Sequence, residues 1–136
     1  MLPSLRFACL VRLLFCLCIT CFSQAQTFTV IHTFTGRDGK YPGGPLVVDS
    51  GGHLYGTAGS GGRDNGGAVF KLTPHGESWT FATLFAFDTA SSGDHPGPVV
   101  FGPDGALYGT TETGGSGLDG VVFKLQPPAA VLLAFR

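Results

Sequence analysis

The chain has 136 residues, of which 22 are glycine and 12% are charged, and its formal net charge is −1. This composition disfavours helices, because each interior glycine costs about 1 kcal/mol relative to alanine. The charge balance supplies no basic surface, so nucleic acids and anionic membranes are not expected partners.

The first residues have the pattern of an export signal. Arg6 and Arg12 give a positive start, and residues 13–22 form an apolar stretch that is too short to span a bilayer as a helix. Small residues at Ser23 and Ala25 occupy the positions that a signal peptidase reads. This combination is typical of a cleavable signal peptide.

We predict cleavage after Ala25, which divides the chain into a signal peptide at residues 1–25 and a mature β repeat region at residues 26–136. The alternative is an uncleaved membrane anchor. The leader holds two of the eight Lys and Arg residues and none of the nine Asp and Glu residues, so six basic and nine acidic residues remain, a net charge of −3. We expect the mature region to be secreted, periplasmic or displayed at the cell surface, with no membrane span.

All four cysteines lie inside this predicted leader: Cys9, Cys16, Cys18 and Cys21. In an apolar export segment cysteine acts as a small apolar residue. The residues before Cys21 do not fit a lipoprotein cleavage site. We therefore expect the mature region to fold without disulfides, even in an oxidising compartment.

Internal repetition is the strongest signal in the mature region. Leu-Tyr-Gly-Thr occurs at residues 54–57 and 107–110, and Val-Phe-Lys-Leu occurs at residues 69–72 and 122–125, in both cases 53 residues apart. Further matches at this separation are Phe34 with Phe87, Pro45 with Pro98, Gly52 with Gly105, and Gly61 with Gly114. Short apolar runs between glycines and prolines indicate strands and turns. The chain is therefore predicted to be all-β, with two units of about 53 residues and the start of a third.

Each unit is predicted to contain four antiparallel strands. In the second copy the strands are residues 79–87, 99–102, 106–111 and 121–125, and the turns are residues 93–96, 103–105 and 114–120. Both faces of the first of these strands are apolar, so we expect it to be covered on both sides. Four short strands in a unit of this length are the pattern of a β-propeller blade. A β-sandwich made of two related halves is the alternative.

The third unit begins at residues 130–135, which resemble residues 83–87, and its Leu-Tyr-Gly-Thr motif does not follow. A closed propeller needs about four to eight blades. We therefore expect an incomplete propeller, present as a truncated product, a fragment or one protomer of a larger ring. Its open strand edges are expected to favour self-association.

These motifs resemble the GloVer tandem-repeat family of exported, propeller-like bacterial proteins. The resemblance rests on Leu-Tyr-Gly-Thr-Thr at residues 107–111, Gly-Gly at 114–115, Gly-Val-Val-Phe-Lys-Leu at 120–125 and Ile-His-Thr-Phe at 31–34. It covers nearly all of the mature region. It implies export and surface display, often through a C-terminal sorting anchor, which we do not expect in this chain, and it implies no established activity.

The residues that could perform acid–base or metal chemistry are scattered. Asp49 and Asp104 stand at matching turns, where aspartate normally shapes the turn. Lys71 recurs as Lys124, and we expect a solvated or edge position for it. The histidines do not repeat and lack the spacing of metal ligands: His32, His53, His75 and His95. We predict no catalytic, cofactor-binding or metal site.

One loop matches a calcium-binding nonapeptide. The segment from Gly114 to Asp119, with the residues up to 122, fits the pattern Gly-Gly-x-Gly-x-Asp-x-U-x. Sites of that kind need tandem copies, and the corresponding loop at residues 61–67 breaks the pattern. We therefore favour a simple turn and keep calcium binding as the alternative.

Aromatic residues offer a possible sugar-binding surface. The candidates are Tyr55, Tyr108 and Trp79. The two tyrosines occupy the same place in each unit, and a position that recurs in every unit is more often structural than ligand-binding. We therefore expect them to occupy a repeated core or blade-packing position.

Together these features predict a non-enzymatic, exported repeat protein with a structural, display or ligand-binding role. Its expected partner is a polysaccharide or a surface protein. The alternative is a fragment of a secreted carbohydrate-active propeller enzyme, which for hydrolysis would need paired carboxylates about 5–10 Å apart. A truncated product with no function of its own is a third interpretation.

The leader prediction is tested by sequencing the N-terminus of the protein recovered outside the cytoplasm. We expect the sequence to begin at Gln26. A chain that still begins at Met1 would contradict cleavage and favour the membrane anchor.

Overall fold

The computed structural model describes residues 26–128, and every regular element in that range is a β-strand. In chain order the strands are β1 (Lys40–Pro42), β2 (Val47–Val48), β3 (Leu54–Ser60), β4 (Ala68–His75), β5 (Ser78–Ala86), β6 (Asp94–Pro96), β7 (Val100–Phe101), β8 (Leu107–Thr113) and β9 (Val122–Leu125). The all-β prediction is confirmed. The predicted signal peptide and third unit lie outside the described residues. Within the described range there is no helix long and apolar enough to cross a membrane.

The strands form two antiparallel sheets with the same connectivity. In the first sheet, β3 lies between β4 and a broken edge made of β1 and β2, and β5 follows beside β4. In the second sheet, β8 lies between β9 and a broken edge made of β6 and β7. Leu54 pairs with Leu72 as Leu107 pairs with Leu125. The repeat is therefore a repeat of strand pairing as well as of sequence.

The boundary between units differs from the one expected from the sequence. Residues 79–87 are predicted to open the second unit, but β5 belongs to the first sheet, where it pairs with β4 from Ala68–Ala86 to His75–Ser78. The two-residue turn between these strands begins at Gly76, whose φ is 62°. A glycine with positive φ at this position favours a tight hairpin. The hairpin keeps β5 beside β4, so β5 ends a unit rather than beginning one.

A short strand occupies most of a predicted turn. Residues 93–96 are predicted to be a turn, yet β6 pairs with β8, with Pro96 opposite Thr111. In the first sheet, β1 pairs with β3 in the same way, with Pro42 opposite Ala58. Proline has no N–H to donate and is confined to edge strands. Gly93 and Pro96 at the ends of residues 93–96 therefore predict a turn where the structure has an edge strand.

The core lies between the two sheets. Four of its side chains are no more than 1% exposed: Val69, Phe87, Val99 and Leu107. Tyr55 of β3 contacts Phe101 of β7, with ring centroids 5.2 Å apart, and Phe87 contacts Phe123 of β9 at 5.1 Å. Sheets that pack face to face occur in propellers and in β-sandwiches. The propeller arrangement therefore stays a prediction.

A glycine faces a phenylalanine across each central strand pair. Gly56 of β3 lies opposite Phe70 of β4, and Gly109 of β8 lies opposite Phe123 of β9. A Cβ added at Gly56 would lie 2.7 Å from Cζ of Phe70, and one added at Gly109 would lie 2.6 Å from Cζ of Phe123. Real Cβ atoms do not approach so closely, so each ring lies directly over its glycine. This contact explains why the Leu-Tyr-Gly-Thr and Val-Phe-Lys-Leu motifs recur together.

Replacing Gly56 with alanine is expected to lower the free energy of unfolding by about 1–3 kcal/mol, because the new methyl group displaces the ring of Phe70. The control is Gly117→Ala, since nothing lies within 4 Å of a Cβ added at Gly117. That surface change is expected to alter stability by less than about 0.5 kcal/mol. Urea denaturation of the wild type and both variants measures the effect, and equal stability of the two variants would contradict the contact.

Candidate functional site

Asp49 is the centre of a hydrogen-bonded turn before β3. Its Oδ1 accepts from the backbone N–H groups of Gly51 at 2.9 Å and His53 at 3.0 Å. Its Oδ2 accepts from the hydroxyl of Tyr55 at 2.9 Å and lies 2.8 Å from Nδ1 of His53. The Tyr55 ring itself is only 3% exposed. The carboxylate therefore shapes the turn and also satisfies the hydroxyl of a core residue.

Asp104 makes the matching contacts in the second unit. Its Oδ1 accepts from the N–H of Ala106 at 3.2 Å, and its Oδ2 accepts from the hydroxyl of Tyr108 at 3.0 Å. Lys124 places Nζ 2.6 Å from the same Oδ2. Asp104 precedes its tyrosine by four residues, whereas Asp49 precedes Tyr55 by six. Both units thus contain a hydrogen bond between a tyrosine and an aspartate, although the aspartate occupies a different position in each unit.

These contacts shift the acid–base properties of the groups. Burial works to raise the pKa of Asp49, but hydrogen bonds from His53, Tyr55 and Gly51 outweigh burial and lower that pKa to about 2. Burial and the bond to Asp49 raise the pKa of Tyr55 to about 12. The Lys124 hydrogen bond is the main reason why the pKa of Asp104 falls to about 2. A general acid or base works best with a pKa near the working pH, so these groups are poorly matched to that task at neutral pH.

The repeated lysines lie over the repeated tyrosines. Nζ of Lys71 is 5.6 Å from the ring centroid of Tyr55, and Nζ of Lys124 is 5.6 Å from that of Tyr108. This is the distance range of a cation–π contact. Lys71 belongs to β4, which is paired on both sides by β3 and β5. Of the two positions expected for Lys71, solvated or edge, the edge position is wrong, because the hairpin to β5 covers the outer side of β4. The Lys71 side chain is half-buried.

The histidines sit in separate places. His32 pairs through Nε2 with Asp38 at 2.9 Å, and His95 pairs through Nδ1 with Asp94 at 3.0 Å. His75 ends β4 and is exposed. Residues 26–128 contain no group of three or more His, Cys, Asp or Glu side chains that could hold a metal ion. The structure thus brings none of the histidines together.

The loop with the calcium-like pattern has the same backbone as its counterpart. The N–H of Gly120 donates to the carbonyl of Gly114 at 3.0 Å, as the N–H of Gly67 donates to that of Gly61 at 3.0 Å. An isolated β-bridge joins Gly114 to Asp119 in the second loop, and the equivalent bridge joins Gly61 to Gly66 in the first loop. The first loop adopts this form with glycine at the position that corresponds to Asp119. The conformation of the second loop therefore does not depend on the Asp119 carboxylate.

An apolar cleft of about 280 Å³ lies between β5 and β9. Phe85, Phe87, Phe123 and Leu125 form most of its wall. Val69 and Val121 complete the apolar part, and Lys124 supplies the only charge among the described residues that line it. A wall of this composition offers no pair of carboxylates for hydrolysis.

A second cleft, of about 230 Å³, lies between β1 and β3 of the first sheet and β6 and β8 of the second. We call it the Tyr41 cleft. Tyr41, Thr57 and Glu112 supply its polar side chains, and the remaining lining residues are glycines and prolines from both units. The backbone is thus open to a ligand over most of the cleft.

Tyr41 has an unusual backbone conformation and stands out from the surface. Its φ is 56° and its side chain is 79% exposed. His95 of β6 has a φ of 54° and is also exposed. Tyr41 lies across from Gly59 between two ladder pairs, and His95 lies across from Glu112 in the same way. Both units therefore present an aromatic ring from a left-handed position of the first strand.

The sequence does not single out Tyr41 and His95 as exposed aromatic residues. Its aromatic candidates are Tyr55, Tyr108 and Trp79, with packing positions favoured for the two tyrosines. Tyr55 is buried, as expected for a packing position, and Tyr108 is half-buried and hydrogen-bonded. A signal for the missed pair exists in the pattern Gly-x-aromatic-Pro-Gly at residues 39–43 and 93–97. These segments are 54 residues apart, so a search at 53 passes over them.

Replacing Asp49 with asparagine is expected to lower the melting temperature at neutral pH and to have less effect in acid. The folded pKa of about 2 lies below the ordinary value of 3.8, so the carboxylate contributes stability above about pH 4 and loses it as the pH falls through 2. The difference between wild type and variant should therefore narrow from about pH 5 to about pH 2. Asp119→Asn, at an exposed loop position, is the control, and a constant difference for Asp49→Asn would contradict this role.

Comparison with known proteins identifies the family of the chain. The model of the Gloeobacter/Verrucomicrobia repeat matches residues 18–136, which is most of the chain and includes both units. This match confirms the resemblance to GloVer repeat proteins. No curated protein and no solved structure matches the chain. The repeated motifs, the repeated strand pairing and this match show that the chain belongs to the Gloeobacter/Verrucomicrobia repeat family.

Proposed function

We propose that the chain is an exported, non-catalytic repeat protein that acts outside the cytoplasm in display or ligand binding. The observation that carries the proposal is that some polar side chains serve the internal structure of each unit while others line an open cleft. Asp49 and Asp104 are committed to turns and to tyrosine hydroxyls inside each unit. The polar groups left at the Tyr41 cleft are suited to contact a ligand rather than to transform one.

Export is supported by the charge and hydrophobicity pattern of residues 1–25 and by the absence of cysteine from residue 26 onward. A region without cysteine is unaffected by the redox state of its compartment. Its fold relies instead on the core between the two sheets, where Val69, Phe87 and Leu107 are essentially inaccessible to solvent. These features suit a protein that works in the periplasm, in the medium or at the cell surface.

The absence of catalysis is supported by the state of the carboxylates. A glycosidase needs two carboxyl groups that face one another, one of them with a raised pKa. Here the pKa values of Asp49 and Asp104 are both lowered. Glu112 is the single carboxylate among the described residues that line the Tyr41 cleft. One carboxylate can accept hydrogen bonds but does not make an acid–base pair.

Ligand binding is supported by the position and composition of the Tyr41 cleft. It lies between two sheets, where binding sites are commonly found, and it combines an aromatic ring with a small number of polar groups. A polysaccharide or a surface protein is the expected class of partner. The net charge of −3 after removal of residues 1–25 disfavours nucleic acid.

The test is turnover of polysaccharides by the purified chain. We expect no release of reducing ends above the buffer blank, and the same result for Glu112→Gln. Turnover that Glu112→Gln or another single carboxylate substitution abolishes would contradict the proposal and identify a carbohydrate-active enzyme.

A further inference from the structure

Tyr41 combines an exposed side chain with a strained, left-handed backbone conformation. A left-handed φ is unfavourable for any residue with a Cβ and is normally occupied by glycine. Twelve glycines of the described residues adopt positive φ, and four other residues do so. The 79% exposed ring of Tyr41 packs against little that would offset the strain. Strain retained at an exposed side chain is a recognised mark of a functional position.

The residue opposite Tyr41 on the neighbouring strand carries no side chain. Gly59 stands across from it on β3, and a Cβ added at Gly59 would lie 3.5 Å from the Tyr41 carbonyl oxygen. Gly43 and Gly44 follow in the chain and line the cleft beside it. Because these neighbours carry no side chains, a flat ligand can reach the Tyr41 ring and the nearby backbone groups.

The second unit supplies the complementary polar group. Glu112 stands on β8 at the position that corresponds to Gly59, across from His95. It is exposed and lines the Tyr41 cleft together with Pro96 and Gly97. The lining of the cleft therefore includes an aromatic residue from the first unit and a carboxylate residue, able to accept hydrogen bonds, from the second.

We propose that the Tyr41 cleft binds a neutral polysaccharide, with a sugar ring stacked on Tyr41 and its hydroxyl groups donating hydrogen bonds to Glu112. This inference rests on the ligand-binding role proposed above and names its ligand class. An apolar aromatic face suits the C–H face of a sugar, and the carboxylate suits its hydroxyls. No lysine or arginine is among the described residues that line the cleft. An anionic polymer would therefore lack a counter-charge there.

The size and symmetry of the site fit a chain of sugars. A volume of about 230 Å³ is smaller than the ~300–1,000 Å³ of sites for drug-sized ligands, so it holds a short part of a polymer. His95 offers a second exposed ring from the equivalent position of the next unit. A repetitive ligand matches a repeated presentation of rings better than a single small molecule does.

The experiment compares the purified wild-type chain with four variants by affinity gel electrophoresis. The gels contain a mixed-linkage β-glucan, a galactomannan or a neutral xylan. Tyr41→Gly removes the ring and accepts a φ of 56° without strain, so it should weaken binding at least tenfold without a lower melting temperature. Tyr41→Phe keeps the ring and should bind within threefold of wild type. Glu112→Gln should weaken binding several-fold.

The matched control is Leu118→Gly. Leu118 has a φ of 65° and is 68% exposed, but it lies in the loop after Gly114 and does not line the cleft. This change also replaces a large exposed side chain at a left-handed position with glycine, and it should leave binding unchanged.

Three results would overturn the assignment. The first is that no neutral polysaccharide retards the wild-type chain in the gel. The second is that Tyr41→Gly still binds as tightly as the wild type. Binding of a proline-rich peptide, but of no polysaccharide, at Tyr41 would assign the cleft to a protein partner. These results leave the non-catalytic role in place, whereas turnover of a polysaccharide would contradict that role and not the cleft.

Discussion

The contact of a phenylalanine ring with a glycine across the central strand pair is the constraint on which each unit depends. The ring of Phe70 lies over Gly56, and the ring of Phe123 lies over Gly109, because neither glycine has a Cβ to keep it away. This contact fixes the register of β3 with β4 and of β8 with β9. The register in turn places Tyr55 opposite Lys71. The cation–π contacts between these lysines and tyrosines therefore follow from the close approach of two strands.

The two units preserve interactions more strictly than residues. A buried or half-buried tyrosine hydroxyl needs a hydrogen-bond partner, and in both units the partner is an aspartate of the preceding turn. Asp49 and Asp104 reach their tyrosines from different turn positions, and only Asp104 has a lysine within ion-pair distance. The pKa values of both carboxylates are lowered because these hydrogen bonds stabilise the charged form. Carboxylates used in this way shape the turns of each unit.

Backbone strain separates the structural turns from that cleft. Most left-handed positions of the described residues hold glycine, which relieves strain at no steric cost. Asn65 and Leu118 are equivalent exceptions in the glycine loops, and Tyr41 and His95 are equivalent exceptions in the first strands. The second pair brings an exposed ring to the place where the two units meet. Family membership and the repeated strand pairing show a repeated scaffold, and our proposal is that this scaffold presents the side chains of the Tyr41 cleft to a ligand.

The sequence by itself determined the repeat, the all-β class and the positions of most strands. Repeated motifs, the alternation of side chains between the two faces of a strand, and the turn preferences of glycine and proline can all be recognised within short stretches of sequence. It also indicated that Tyr55 packs in the interior. The tertiary structure alone decided that β5 closes the first sheet, that residues 94–96 form an edge strand, and that Lys71 lies over a tyrosine ring. It also decided that Tyr41 and Glu112, 71 positions apart in the chain, line one cleft. These features depend on which strands pair and how the sheets pack, and such long-range contacts leave no local pattern in the sequence.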